Sequence, residues 1–102
     1  MKKHQTKEID ELFCAIMSLE SREEFYNFFE DVCTVKELND MSQRLRAAKL
    51  LKNGCSYAEI AKETGMSTAT ISRVSRCLEY GNGGYRTVLE REARGTEEGD
   101  AK

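Results

Sequence analysis

The sequence has no proline, no tryptophan and a single histidine among its 102 residues. Turn and strand signals are therefore scarce, whereas 33% charged residues suits helices with large solvent-exposed faces. No segment approaches the roughly 20 consecutive apolar residues of a membrane span, and the opening MKKHQTKEID has no apolar run that could act as a signal peptide. We expect an all-α protein that is cytoplasmic and has no membrane partner.

Side-chain groupings that carry catalysis or hold metal are also missing. The one histidine, His4, stands in a polar N-terminal stretch that we expect to be frayed, and the acidic residues are dispersed rather than clustered. The GNGG segment at 81–84 lacks the Lys-Ser/Thr of a phosphate-binding loop, so we interpret it as a turn. No C-x-x-C pair occurs, and buried reduced thiols are expected at Cys14, Cys33, Cys55 and Cys77. We predict neither enzyme activity nor a metal or cofactor.

Charge is small in net terms but unevenly distributed along the chain. The net charge of −2 divides into −5 over residues 1–40, +4 over 41–80 and −1 over 81–102. The positive middle segment holds seven Lys or Arg residues against three Glu residues. Such a segment suits a nucleic-acid partner, although amphipathic helices also carry charged faces for solubility alone. The charge distribution therefore favours DNA only in combination with other features.

Helix starts are marked by Ser or Thr with Glu three positions later, in S-R-E-E, T-V-K-E and S-Y-A-E. These boxes predict helix starts at Ser21, Thr34 and Ser56. An amphipathic helix precedes them from about residue 5, and the helix after Thr34 is predicted to end at Gly54 in a left-handed conformation. The chain beyond residue 92 has no apolar anchor. We predict one domain over residues 1–92 and a disordered tail over 93–102.

The stretch S-Y-A-E-I-A-K-E-T-G-M-S-T-A-T-I-S-R matches the start of a helix-turn-helix unit over about residues 56–79. If Tyr57 is taken as the first position of a twenty-residue helix-turn-helix window, the small Ala61 falls where the two helices come closest. Gly65 falls in the turn, where a positive φ is needed, and Ser67 can cap the second helix. The apolar contacts that would hold the pair together are Ile60, Met66, Ile71, Val74 and Leu78.

The outer and N-terminal faces of the second helix carry small, polar and basic residues without an acid, so they can approach phosphates and base edges closely. The predicted DNA-contacting residues are Lys62, Ser67, Thr68, Ala69, Thr70, Ser72, Arg73 and Arg76. Arg76, Lys62 and the capped end of the helix would hold phosphates, and the others would face base edges or bridging waters. The alternative is a helical hairpin that binds another protein and no DNA.

Residues 34–80 run from T-V-K-E-L-N-D-M-S-Q-R-L-R through L-L-K-N-G-C-S-Y-A-E-I-A-K-E-T-G-M-S-T-A-T-I-S-R-V-S-R-C-L, and they resemble the Trp repressor family. The Y-G-N-G-G-Y segment and the N-terminal helices are similar to its Trp-repressor-like YerC/YecD subgroup. The resemblance implies an intertwined, all-helical homodimer whose two helix-turn-helix units enter successive major grooves. The many apolar residues of the first two helices also favour a dimer, because the three short helices of one chain cannot easily bury so much apolar surface alone.

The resemblance also implies a corepressor pocket, whose residues are only partly retained. Thr34 matches the threonine beside the tryptophan ligand of the repressor, and Arg44 and Arg73 match the two arginines that sandwich the indole. Val74 stands in place of a glycine and would intrude on the indole, although this position is also an ordinary apolar core position. Cys77 stands in place of a serine that helps to hold the ligand amine, and a thiol is a weak hydrogen-bonding partner. We expect no tryptophan binding in the repressor's manner. Binding of a different small effector in a changed pocket near Arg44 is an alternative.

Together these features predict a sequence-specific transcription regulator that binds double-stranded DNA as a homodimer. It would repress by occlusion at a palindromic operator with half-sites ~34 Å apart or a multiple of that distance. The competing prediction is a protein-interaction module that is derived from a helix-turn-helix unit and does not bind DNA. The acidic N-terminal third favours this alternative.

Overall fold

The computed structural model describes residues 5–99, with side chains to residue 95, and confirms the all-α prediction, since no strand forms over that range. The six helices are α1 (Lys7–Met17), α2 (Arg22–Val32), α3 (Val35–Lys52), α4 (Tyr57–Thr64), α5 (Thr68–Tyr80) and α6 (Gly84–Gly99). None of the helices between residues 5 and 99 combines the length and the hydropathy needed to cross a membrane. His4 and residues 100–102 lie outside the described residues.

Side-chain caps begin the helices where the sequence predicts them. At the start of α3, Thr34 Oγ1 accepts from Glu37 N (3.0 Å) while Glu37 Oε1 accepts from Thr34 N (2.8 Å). The same reciprocal pair joins Ser56 and Glu59 at the start of α4. Ser21 caps α2, since its Oγ accepts from Glu24 N, but the return bond of the predicted box does not form. The Glu24 carboxylate instead accepts from the backbone N–H of Glu20, the residue before Ser21. Two capping boxes are therefore confirmed and the third is displaced by one residue.

Gly54 ends α3 as predicted, with a left-handed φ of 88°. Its backbone N–H donates to the Leu51 carbonyl, and the next N–H, of Cys55, donates to the Leu50 carbonyl. These two bonds satisfy carbonyls that the helix end would leave without partners. The chain can consequently turn within a few residues from α3 into α4.

Two compact units make up the chain, one up to Leu38 and one from Asn39 onward. In the first unit, neither α1 nor α2 contains a buried residue. Phe29 contacts the rings of Phe25 and Phe28, with centroid separations of 6.4 and 5.5 Å. Met17 remains 82% exposed and Phe13 54% exposed. This unit has amphipathic helices without a closed core of its own.

The second unit has a closed apolar core contributed by four helices. The buried residues are Ala47, Ala48, Leu50, Ile60, Ile71, Val74 and Leu89. Helix α6 is fixed to this core through Leu89 and is joined to α3 by an ion pair between Lys49 and Glu92 (2.8 Å). The Arg86 guanidinium donates to the Glu79 carbonyl (2.8 Å) at the end of α5. The last of these contacts ties the end of α5 to α6.

Two expectations differ from the structure. Helix α6 continues to Gly99, past residue 93 where we expected a disordered tail, because the Glu, Arg and Ala residues of this segment are strong helix formers. The four cysteines are free, but none is buried, so the expectation of buried thiols is wrong for the single chain. Cys14 is exposed because α1 has no covering layer in its own unit, and Cys77 is exposed on α5.

Candidate DNA interface

Helices α4 and α5 form a tight pair joined by the three residues 65–67. Gly65 takes a left-handed φ of 77°, and its N–H donates to the Ala61 carbonyl (2.8 Å). Ser67 starts α5, since its Oγ accepts from Thr70 N (3.2 Å). The predicted turn glycine and the predicted cap are both in place, and the pair has the connection expected of a helix-turn-helix unit.

One face of α5 packs against the core and fixes which residues point outward. Ile71 is fully buried and Val74 is 2% exposed, and Leu78 continues this face in a partly buried position. Ile60 of α4 is fully buried in the same core. The rotation of α5 about its axis is therefore set by packing.

The opposite face of α5 is open to solvent. Its exposed residues include Thr68, Ala69, Ser72, Arg73, Arg76 and Tyr80. Among them, residues 69, 73, 76 and 80 follow one another at steps of four, three and four, which places them along one stripe of a helix. The first turn of α5 contains no acidic residue. We call this surface the outer face of α5.

Two acidic side chains of α4 are occupied by other contacts. Glu63 receives a bond from the Arg46 guanidinium (2.6 Å). Glu59 accepts from Ser56 N (2.7 Å), and the hydrogen bonds from the Ser56 backbone, and then from its side chain, lower the pKa of Glu59. Lys62, Arg73 and Arg76 form no ion pair with any residue that the structure describes. The pair of helices α4 and α5 thus presents three cations that have no ionic partner among the described residues.

The predicted DNA-contacting residues do not all share this face. Lys62 is exposed on α4, and Thr68, Ala69, Ser72, Arg73 and Arg76 are exposed on α5. Thr70 is only partly exposed, and its hydroxyl accepts from Ser67 Oγ (3.0 Å). This bond ties Thr70 to the helix cap, so its hydroxyl belongs to the start of α5 rather than to the outer face.

The residues matched to a corepressor pocket are spread over both units. Thr34 caps α3 in the first unit, while Arg44, Arg73, Val74 and Cys77 belong to the second. Arg44 is partly buried, and Arg73 and Cys77 are exposed. Val74 lies in the closed core with Ile60 and Ile71, so its side chain fills space that a glycine would leave open.

Tyr85 is a neighbour of this region that sequence patterns did not single out. Its side chain packs against the core of the second unit. Burial raises the pKa of Tyr85, the nearby Arg44 guanidinium partly offsets that effect, and Cys77 adds to it. The four-residue spacing of Tyr85 and Leu89 is the signal that could have placed both on the packed face of α6. The pairing of Arg46 with Glu63 was also missed, because nothing in a sequence marks partners 17 positions apart.

Comparison with known proteins defines the class to which this fold and helix pair belong. The family described as Trp repressor protein matches residues 7–93, and the chain belongs to that family. Members of the family are DNA-binding transcription regulators with a helix-turn-helix unit, and they are not enzymes.

Individual relatives place the chain with the YerC/YecD type of this family. It is 53% identical over 85 residues to the uncharacterized protein YerC of Bacillus subtilis strain 168, covering 83% of this chain and 82% of YerC. A crystal structure of a TrpR-like protein from Eubacterium eligens ATCC 27750 is similar with a TM-score of 0.86 and 52% identity, over 89% of this chain and 94% of that one. A putative Trp repressor from Staphylococcus aureus gives 0.84 and 53%, over 89% and 91%.

Proposed function

We propose that this protein is a sequence-specific DNA-binding transcription regulator that acts as a homodimeric repressor. The observation that carries the proposal is the outer face of α5, where Arg73 and Arg76 stand exposed without an ionic partner among the described residues. Small neighbouring side chains allow the helix backbone to come close to a major groove. A cytoplasmic location, where DNA is accessible in a bacterial cell, is part of the same proposal.

In the proposed complex, different residues position the protein and read the sequence. Arg76 and Lys62 hold phosphates, together with the backbone N–H groups at the capped start of α5 near Ser67. Arg73 reaches base edges, with Thr68, Ala69 and Ser72 contributing directly or through water. Thr70 contributes through the cap, given its bond to Ser67. Arg73→Ala should therefore weaken binding and change base preference, whereas unchanged affinity would count against this role.

The homodimer is supported by the apolar surface of the first unit. Leu12, Phe13 and Met17 on α1, and Phe25 and Val32 on α2, are all more than a third exposed within the chain. Apolar surface of this extent is unfavourable in water unless another surface covers it. A second copy presents the same surface, and the family's intertwined dimer provides the arrangement in which residues 1–92 complete one domain.

Two-fold symmetry then defines the shape of the operator. Two helix-turn-helix units related by a two-fold axis recognise half-sites that are inverted copies of one another, ~34 Å apart or a multiple of that distance. A repressor of this kind acts by occupying the site that the transcription machinery needs.

The effector response is proposed to differ from that of the tryptophan repressor. Val74 fills the core where a glycine would leave room for an indole, and Cys77 offers only a weak hydrogen-bonding partner. Thr34, Arg44 and Arg73 are nevertheless present, so a different small effector near Arg44 is the second possibility within the DNA-binding class. Neither arrangement requires a cofactor.

The experiment that tests the proposal is a selection of genomic DNA fragments with the purified protein. It is run at low and at physiological salt, each with and without tryptophan. A palindromic motif recovered independently of tryptophan is the expected outcome. Recovery only with tryptophan would overturn the effector proposal, and the absence of an enriched motif would overturn sequence-specific binding by the protein alone.

The competing function is a protein-interaction module that has kept the helix-turn-helix fold. It is favoured by the exposed carboxylates of α2, which include Glu23, Glu30 and Asp31. This function predicts that replacing Arg73 and Arg76 by Ala leaves regulation in cells intact, while Lys substitutions at the three acidic positions abolish it. DNA binding predicts the reverse dependence.

A further inference from the structure

We propose that Tyr80 is an additional DNA contact, whose hydroxyl donates a hydrogen bond to a backbone phosphate beyond Arg76. This inference rests on the proposed DNA-binding function, and it extends that surface to a residue that the sequence patterns did not indicate. Tyr80 is the last residue of α5 and is 81% exposed. Its hydroxyl forms no hydrogen bond within the part of the chain that the structure describes.

The rotation of α5 places Tyr80 on the outer face. At about 100° per residue, Ala69, Arg73, Arg76 and Tyr80 fall within an arc of about 60°, opposite the buried Ile71. Tyr80 lies about 6 Å beyond Arg76 along the helix axis. A residue at the end of the stripe reaches the rim of the groove rather than its floor. The acceptors at that rim are phosphate oxygens.

The chemistry of Tyr80 fits such an acceptor. A phenol is a neutral hydrogen-bond donor that proteins use on phosphates, and an exposed aromatic ring at a helix end gains from contact with a sugar surface. The neighbouring Arg76 brings the same stripe to the phosphate backbone, because it lacks an ionic partner among residues 5–95.

Contacts at the end of α5 hold Tyr80 in position. The Arg86 guanidinium donates to the carbonyl of the preceding residue, Glu79 (2.8 Å), and Gly81 N donates to the Cys77 carbonyl (2.9 Å). A side chain on Gly81 would collide with that carbonyl, so the helix can close in this way only with glycine there. Tyr80 is thus exposed on a fixed backbone, and binding requires ordering of the side chain alone.

The test compares Tyr80→Phe with the wild-type protein and with Tyr26→Phe. The control removes the same hydroxyl from an exposed tyrosine on α2. Affinity is measured for the duplex recovered by selection and for a mixed-sequence duplex, each over a range of salt concentrations. Because one neutral hydrogen-bond donor is lost in each half-site, and therefore two in each dimer, Tyr80→Phe should bind both duplexes about tenfold to a hundredfold more weakly. Its salt dependence should equal that of the wild type, since no cation is removed. Tyr26→Phe should match the wild type throughout.

Ethylation interference on the same duplex locates the contact. In each half-site, ethylation of one particular phosphate should prevent binding of the wild-type protein. Ethylation of that same phosphate should not change the binding of Tyr80→Phe. Equal affinity of Tyr80→Phe and wild type would overturn the inference while leaving DNA binding intact. If sedimentation shows that Tyr80→Phe dimerises more weakly and this accounts for its weaker DNA binding, the inference would also be overturned. Failure of the wild type to retain either duplex would instead overturn the proposed function itself, before any variant is compared.

Discussion

The two compact units of this chain differ in how they treat their apolar residues. From Asn39 onward, apolar side chains of α3, α4, α5 and α6 close a core in which Ile60 and Ile71 are fully buried. Up to Leu38, two amphipathic helices bury none of their residues. Both units have well-capped helices, so the contrast does not arise from weak secondary structure.

The proposed DNA-contacting surface and the proposed dimer surface therefore depend on separate sets of interactions. The outer face of α5 is positioned by a core within one chain. The first unit leaves side chains such as Phe13 and Met17 exposed, which is unfavourable in water, and the proposed second chain would cover them. Substitutions in the two units should therefore fail in different ways.

The largest expected effect is that of Ile71→Ala in the core of the second unit. Loss of a fully buried isoleucine removes apolar burial and leaves a cavity, so the free energy of unfolding should fall by about 2–5 kcal/mol. Urea unfolding measures this change. The neighbouring exposed Ser72→Ala is the control and should stay within about 0.5 kcal/mol of the wild type. Similar losses for both variants would contradict the burial pattern of α5.

The next effect belongs to the first unit and concerns assembly. Phe13→Asp places a charge on the surface proposed to meet the second chain, so the dimer Kd should rise at least about tenfold, which corresponds to a dimerisation free energy weaker by at least about 1.4 kcal/mol. Sedimentation equilibrium measures the Kd, and Glu11→Ala on the same helix is the control. A wild-type protein that is monomeric at all concentrations would remove the proposed role of this surface.

A smaller effect is expected at the turn between α4 and α5. Gly65→Ala should lower the free energy of unfolding by roughly 1–2 kcal/mol, because a left-handed φ of 77° is unfavourable for a residue with a Cβ. No neighbouring atom would obstruct the added methyl, so the cost is conformational. Gly95→Ala, inside α6 with equally open surroundings, should stabilise the helix by about 0.5–1 kcal/mol. Thermal unfolding should thus show opposite signs for the two substitutions.

The smallest effect is a pH dependence at the start of α4. Hydrogen bonds from Ser56 lower the pKa of Glu59 below its ordinary value of 4.5, so folding favours the ionised carboxylate. Its stabilisation is present above that value and is lost as the pH falls through the lowered pKa of the folded state. In Glu59→Gln, the difference in urea midpoint from the wild type should shrink as the pH drops below 4.5. A constant difference from neutral pH downward would contradict the proposed linkage.

Much of this organisation could be predicted from local sequence signals. The boxes at Thr34 and Ser56, the left-handed Gly54 and the turn at Gly65 each depend on residues within a few positions of one another. Their physical causes are local hydrogen bonds and backbone sterics. The resemblance to the Trp repressor family was also carried by a continuous segment, and it is confirmed.

Features that depend on distant or competing contacts were not predictable. Thr70 was predicted among the residues of the outer and N-terminal faces of α5, but no sequence signal marked the hydrogen bond that its hydroxyl accepts from Ser67 Oγ. The ion pairs of Arg46 and Lys49 join residues on different helices, so only the packed structure reveals which cations are neutralised. The extent of α6 was underestimated because apolar periodicity ends before helix propensity does. The DNA-contacting and effector-pocket residues stay predictions.

The most direct test of DNA binding through α5 is the salt dependence of affinity for Arg76→Ala, compared with the wild type and with Arg91→Ala. Arg91 is exposed on α6 and serves as a control that removes the same charge elsewhere. The wild type should bind steeply less well as salt rises, and Arg76→Ala should show a slope shallower by about 1.8, since each dimer loses two phosphate contacts at about 0.9 each. Arg91→Ala should retain the wild-type slope. Equal slopes for wild type and Arg76→Ala, or a flat response for all three proteins, would contradict the placement of DNA against the outer face of α5.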